Sequence, residues 1–384
     1  SIPTQSLQDA FQGKIAGVQV TPQNGRPGSQ PVVRVRGVGT LNNASPLYVV
    51  DGLLLDDISF LPPENVQSLQ VLKDASATAI YGSRGANGVI VVTTKNGSSD
   101  SSGIYARSYY GVQTVVDKIG MANATEFATL ANESATNEGR APIFADPSQF
   151  GEGFNWEDWL IQDGAPIQSH YISASGSSEK SNYFVSANYF NQDGLIRRSG
   201  FERVSFRVAN EYFISDKVTA GQNLNLTFTD SQEEGEGRGV NSLINLTLQA
   251  DPTLEPYNPD GTFTNTSING GTVNPAASVA FNNNENKSFR ATGNAYLKFD
   301  FLKNFNFKTS LGIDYFRGER KFFIPAHFVT PIQMLQDSRL TVSRGQHNNW
   351  LNENLLQYKN SIGEHNFDLL AGITFQEFTS ENLS

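Results

Sequence analysis

One pattern constrains this chain more than any other: long runs in which apolar and polar residues alternate strictly. Phe289, Ala291, Gly293, Ala295, Leu297 and Phe299 fall on one face of an extended backbone, and Arg290, Thr292, Asn294, Tyr296, Lys298 and Asp300 on the other. Phe305, Phe307, Thr309, Leu311, Ile313 and Tyr315 alternate in the same way with Asn306, Lys308, Ser310, Gly312 and Asp314. Leu224, Leu226 and Phe228 repeat the pattern earlier, and Phe367, Leu369, Ala371, Ile373 and Phe375 near the end. Successive side chains of a strand point to opposite faces, so each run is a two-faced strand. A half-solvated antiparallel sheet gives the same period. Length separates the two cases: strands of soluble sheets run about 5–6 residues, whereas strands that cross a bilayer run about ten.

Read this way, strands fall near 104–115, 167–176, 182–191, 202–213, 218–229, 288–300, 305–316, 346–359 and 366–378. Short turns at 176–180, 215–217, 302–304 and 362–365 alternate with long connections at 117–166, 230–287 and 317–344. Tight turns at one end and long loops at the other are the habit of membrane barrels, and a compact soluble domain rarely carries such loops. About nine strands is an odd number, and fewer than half of the roughly 22 found in plugged outer-membrane transporters. An open sheet edge in lipid leaves backbone groups unsatisfied. The strands are therefore expected to be part of a larger barrel, and the chain a piece of a longer polypeptide.

Composition agrees. Only 17% of the 384 residues are charged, below the roughly 25% of ordinary globular domains. Aromatics reach 11%, and much of the polarity is uncharged Asn, Ser, Thr and Gln. No run of about 18 apolar residues is present to cross a bilayer as a helix. A net charge of −10 argues against a nucleic-acid partner. The absence of cysteine removes disulfides, thiolate metal sites and cysteine nucleophiles. Ser1-Ile2-Pro3 carries neither the basic nor the apolar segment of a leader, as expected of a secreted protein after processing.

Residues 1–98 read differently, as a small α/β unit. Leu7, Ala10 and Phe11 recur at helical spacing and predict a short helix over 6–14. Val18 to Val20 reads as a strand, and Val33 and Val35 alternate with Arg34 and Arg36. Asp51-Gly52 is a turn signal after the strand ending in Val49-Val50. Ser68 to Lys73 is strand-like. Asp74 is placed to N-cap a helix over Ala75 to Tyr81, which Gly82 stops. Gly85 and Gly88 supply turn conformations that a side chain resists, and Val89 to Thr94 is the most β-prone run in the chain.

The words LYVVDG at 47–52 and VLKDASATAIYGSRGANGVIVVTTKNG at 71–97, in that order, resemble the plug domain of the TonB-dependent outer-membrane transporters. Within them they resemble the SusC/RagA branch of Bacteroidetes. The resemblance implies a plug over 1–98, a Gly/Ser-rich linker at 99–103 and the N-terminal part of a transmembrane β-barrel over 104–384. It implies residence in the outer membrane of a Gram-negative bacterium and TonB-dependent import of a large nutrient, an oligosaccharide or a peptide. A SusD-like surface lipoprotein would lid the barrel, and TonB would pull on a segment lying ahead of Ser1. Asp51, Gly52, Lys73, Asp74, Tyr81, Gly82, Arg84, Gly85, Asn87 and Gly88 match the family's plug signature. Their implied jobs are structural: capping, turn shape and contact with the barrel wall.

No catalytic constellation stands out, so no enzyme activity is expected. His170, His327, His347 and His365 have no metal-like spacing. Gly82, Gly85 and Gly88 follow a predicted helix at a spacing that fits neither phosphate-binding motif. Asp51, Asp56 and Asp57, and Asp251 and Asp260 in the 251–275 loop, are the carboxylates a calcium ion would use. Turn chemistry accounts for them, and no cofactor is expected. For ligand contact, Leu41, Asn42 and Asn43 lie in a small amide-rich loop, and Trp156, Trp159 and Tyr257 lie in long loops where flat rings stack on sugars. Loop packing and the aromatic girdles of membrane interfaces also collect such rings. Two other readings stay open: a SusC-like barrel serving as a component of a larger envelope complex, and a soluble, secreted, β-rich carbohydrate-binding protein.

Overall fold

The computed structural model describes residues 6–35, 37, 44–73, 79–97, 102–233, 242–268, 272–363 and 365–384. The N-terminal unit carries a hairpin of β1 (Val18–Thr21) and β2 (Val32–Val35), followed by β3 (Leu47–Val50), β4 (Leu53–Leu55), β5 (Val66–Leu72) and β6 (Val89–Thr94). The last four form one sheet in the order β4-β3-β6-β5, with β3 and β6 parallel and the outer pairs antiparallel. A parallel pair buried on both faces needs continuous apolar sequence rather than alternation, and LYVV and VIVV provide it. Tyr48, Val50, Ile90 and Val92 face a core with Leu7, Phe11, Val33, Val35 and Leu61. Leu47, Val49 and Val89 face the other side with Leu54, Leu72 and Tyr81.

The rest of the chain builds one wall. Its strands are β7 (Gly103–Gln113), β8 (Ala165–Ser177), β9 (Ser181–Asp193), β10 (Gly200–Ser215), β11 (Val218–Glu233), β12 (Asn283–Phe301) and β13 (Phe305–Ile324). A small hairpin of β14 (His327–Thr330) and β15 (Gln333–Leu335) interrupts before β16 (Arg339–Ile362) and β17 (His365–Leu383). Apart from that hairpin, all pair antiparallel with their neighbours in sequence, as one nine-stranded sheet. The register keeps like faces together: Leu311 opposes Ala295, and Ile313 opposes Gly293. Connections at 178–180, 216–217, 302–304 and 363–364 gather at one end. Those at 114–164, 194–199, 234–282 and 325–338 gather at the other. The long ones hold α1 (Ala124–Asn137), α2 (Trp156–Leu160), α3 (Leu243–Leu248) and α4 (Pro275–Phe281).

Burial on the wall is inverted relative to a protein folded in water. The inner face, which meets the N-terminal unit, hides charge: Arg207 is 1% exposed and Arg203 2%. The outer face shows its hydrocarbon: Leu311 is 58% exposed and Ile313 44%. A half-solvated soluble sheet would do the opposite, whereas a bilayer-facing wall is apolar outside and polar inside.

Three expectations need correction. Residues 6–14 form a single 3-10 turn over Asp9–Phe11 instead of a helix. Ser6 and Asp9 close it on themselves through Ser6 Oγ to Asp9 Oδ2 at 2.7 Å, and Gly13 then turns away at φ 70. The helix expected to end at Gly82 is, where described, a pair of 3-10 turns over Ala79–Gly85, kinked at Gly82 with φ 59 and ψ −149; residues 74–78 lie outside the described residues. Two of the long connections, expected at 230–287 and 317–344, are also shorter than expected, because β11, β12, β13 and β16 run on to lengths of 16, 19, 20 and 24 residues. Some of these extensions, such as 283–287, are polar on both faces and carry no apolar alternation, whereas 339–345 keeps Leu340 and Val342 on one face.

Candidate functional site at the seam of the two units

The N-terminal unit sits against the inner face through arginines that the wall strands aim inward. Along β10, Val204, Phe206 and Val208 alternate with Arg203, Ser205 and Arg207, so both guanidinium groups face the seam. Arg207 donates to the Lys95 carbonyl at 2.9 Å, to Asn223 Oδ1 at 2.7 Å, to Asn225 Oδ1 at 3.2 Å and to Thr94 Oγ1. The Asp51 carboxylate lies 3.8 Å away. Asp51 itself takes the left-handed conformation at φ 49, which short polar side chains tolerate best. It accepts a hydrogen bond from Thr94 N at 2.9 Å, which fixes the carboxylate between its own sheet and the wall.

Arg290, on β12, forks onto Asp314 of β13 at 2.8 and 2.9 Å and reaches Asp57 of the N-terminal unit at 3.0 Å. Its guanidinium lies 4.5 Å from the centre of the Phe60 ring. Arg203 donates to the Ser59 carbonyl at 2.9 Å, and Thr227 Oγ1 to the Phe60 carbonyl at 3.3 Å. Further round, Tyr171 and Ser186 both bond Asn65 Oδ1, at 3.0 and 2.8 Å. Asn294 Nδ2 donates to the Asp51 carbonyl at 2.7 Å. Gly97 touches the wall so closely that an added Cβ would sit 2.3 Å from the Tyr183 carbonyl oxygen. Charge-assisted bonds of this kind are stronger and more directional than neutral ones. Between 24–30, 57–60 and strands β10 to β13 the seam opens into a cavity of about 380 Å³, lined by Ser29, Ser59, Thr227, Thr229, Phe201 and Phe316 among others.

The sequence-expected signature residues are distributed along this unit. Gly52 follows Asp51 at φ 92. Lys73 reaches the Ala16 carbonyl. Tyr81 packs on the lower core, and burial, then the Glu353 carboxylate of the wall, pushes its phenol up. Arg84 meets Asp56 at 3.6 Å and Gln376 of β17 at 3.1 Å. Gly85 accepts from Gly88 N at 3.0 Å, and Asn87 donates to the Ser45 carbonyl at 3.5 Å. Gly88 has φ 90, and a Cβ there would lie 2.7 Å from Val35. Asp74, Leu41, Asn42 and Asn43 lie outside the described residues.

Three of the aspartates considered for a cation face arginines instead: Asp51 faces Arg207, Asp56 faces Arg84 and Asp57 faces Arg290, while Asp251 and Asp260 accept hydrogen bonds from Thr253 and Thr262. Among the described residues no cluster of three or more His, Asp or Glu is placed to hold a metal ion. Trp156 is corrected as a ligand-facing ring. It is 3% exposed, packs with Phe154 and Trp159, and donates its indole N–H to the Asp251 carbonyl at 2.9 Å. Trp159 is half-buried with Arg197 over its ring at 5.3 Å, and Tyr257 is exposed beside Phe263. Sequence reasoning missed Arg203, Arg207, Thr94 and Asn65. The one available signal was an arginine pair on the polar face of an otherwise apolar alternation.

Comparison with known proteins supports the same assignment. Residues 1–89 match the TonB-dependent Receptor Plug Domain. The chain is 33% identical over 390 residues to a TonB-dependent receptor of Formosa agariphila, covering 99% of this chain and 39% of that protein. It is 29% identical over 419 residues to the TonB-dependent receptor SusC of Bacteroides thetaiotaomicron, covering 98% of this chain and 40% of that one. The structure of the RagAB peptide transporter superposes with a TM-score of 0.84 at 22% identity, over 100% of this chain and 48% of that chain, which speaks for the fold. The chain thus spans less than half the length of these relatives. Plug words, sheet order, inverted burial and relatives agree: the chain carries a TonB-dependent receptor plug domain followed by a nine-stranded antiparallel sheet, and is similar along its length to TonB-dependent receptors such as SusC.

Proposed function

We propose that the full-length protein imports a large nutrient, an oligosaccharide or a peptide, across the outer membrane of a Gram-negative bacterium. TonB would supply the pull that displaces the plug, and a SusD-like lipoprotein would capture cargo and lid the barrel from outside. The observation that carries this reading is a plug held in a polar inner face by hydrogen bonds and ion pairs. Such contacts exchange for water without tearing an apolar core, so a plug seated this way can leave and return, whereas one seated by a large hydrophobic interface would be permanent. The long-loop end supplies the irregular surface that recognition needs.

The test is a detergent pull-down of the full-length protein from its native outer membrane, with co-purifying proteins identified by mass spectrometry. A stoichiometric SusD-like lipoprotein is the expected result. A stable set of other envelope proteins without it would replace import by a role as a component of a larger envelope complex. Recovery in the aqueous fraction without detergent would contradict the membrane reading itself.

A further inference from the structure

Two of the arginines that grip the plug, Arg290 and Arg207, differ in where their counter-charge comes from. Arg290 has a wall carboxylate of its own: its Nε and Nη2 fork onto Asp314 at 2.8 and 2.9 Å, and plug Asp57 is added at 3.0 Å. If the plug leaves, Arg290 keeps Asp314. Around Arg207, among the described residues, the wall contributes uncharged groups: the amides of Asn223 and Asn225 and the Phe184 ring at 5.9 Å. Among the described residues its one ion-pair partner is Asp51, on the plug. The Arg207 side chain is fully buried, against 13% exposure for Arg290.

From this asymmetry we infer that Arg207 is the positioning residue that seats the plug, with Asp51 as its obligatory counter-charge, while Arg290 and Asp57 form a dispensable contact. Removing one partner of a buried ion pair leaves an uncompensated charge and is strongly destabilising, whereas replacing both partners by neutral groups is often harmless. The seat at Arg207 obeys that rule, and the contact at Arg290 escapes it because Asp314 remains. Loss of Asp51 therefore drives the plug out of register, and loss of Asp57 does not. The inference rests on the chain being a plug in a barrel wall and not on what the barrel imports.

The experiment uses full-length protein in planar bilayers, with potassium chloride conductance as the readout, so neither nutrient nor TonB is involved. Asp51→Asn is the first variant, because asparagine tolerates the left-handed backbone at this position and can still accept from Thr94 N. It is expected to raise the open fraction by about a hundredfold. Asp57→Asn is expected to stay within about twofold of the parent protein. The double variant Asp51→Asn with Arg207→Gln removes both charges and is expected to reseal towards the parent, a rescue that loss of shape alone would not give. Equal leak in Asp57→Asn and Asp51→Asn, or a double variant at least as leaky as Asp51→Asn, would overturn the inference. If Asp51→Asn does not insert, Arg207→Lys decides in the same assay. Lysine keeps the charge but loses the fork, so leak above the parent supports the seat and parent-like closure overturns it. A failure here leaves the import reading standing, and a failed pull-down leaves this one standing.

Discussion

The plug and the wall bury opposite things. In the plug, Ile58, Leu61, Ile90 and Val92 are wholly enclosed, and charge stays at the margin. In the wall, Arg203 and Arg207 are enclosed and hydrocarbon such as Leu311 is displayed. One chain follows two solvent rules because its two halves face different surroundings. The plug folds as a small water-soluble domain would, driven by apolar burial. The wall has lipid outside and the polar plug inside, so its backbone ladder is satisfied by neighbouring strands and its side chains sort inversely. The two rules meet at the seam, where the plug's carboxylates answer the wall's arginines.

Substitutions that insert charge break the comparison most sharply. Val92→Asp places a carboxylate in the plug core at 0% exposure, with no partner, a cost large enough to unfold a small domain. Protease should then digest the plug while the wall keeps its heat-resistant migration on gels. A wall that melts with it would show that the units do not fold independently. Trp156→Ala is expected to cost about 3–5 kcal/mol of local packing. The loss should be confined to the long-loop end, read as faster hydrogen exchange at 250–252 and around α2 with the strands unchanged. Leu311→Arg on the outer face is expected to cost about 2–4 kcal/mol in a bilayer, seen as a lower midpoint in denaturant unfolding from lipid vesicles, and to leave the plug seated. The smallest effect is expected at Asn123, whose side chain and Glu126 cap α1 reciprocally. Asn123→Ala should cost about 1 kcal/mol, visible only as faster exchange in the first turn of α1.

Much of the wall was legible in sequence because alternation is a direct consequence of a two-sided environment. Each expected strand lies within or close to an observed one, and the misjudged ends include stretches where both faces turn polar, as at 283–287. The central strands of the plug were legible for the opposite reason, as continuous apolar runs. The seam was not legible. Arg207 and Thr94 are separated by 113 residues, and Arg290 and Asp57 by 233, and no local pattern marks which arginine meets which carboxylate. Trp156 misled because a ring in a loop reads as available for stacking, whereas here the loops pack on one another and enclose it.

The central claim is that the wall has a lipid side and a plug side, and it can be read directly along β12. Residues 1–384 contain no cysteine, so single cysteines carrying a spin label at Ala291, Thr292, Asn294 and Ala295 report on β12 once placed in full-length protein freed of any other cysteine and returned to membranes. The account expects Ala291 and Ala295 to be accessible to oxygen dissolved in lipid and shielded from a water-soluble nickel chelate. It expects Thr292 and Asn294 to be shielded from both while the plug is seated. Ready access of the nickel chelate to Ala291 and Ala295 would mean that water bathes the outer face, and the barrel-wall account would fall.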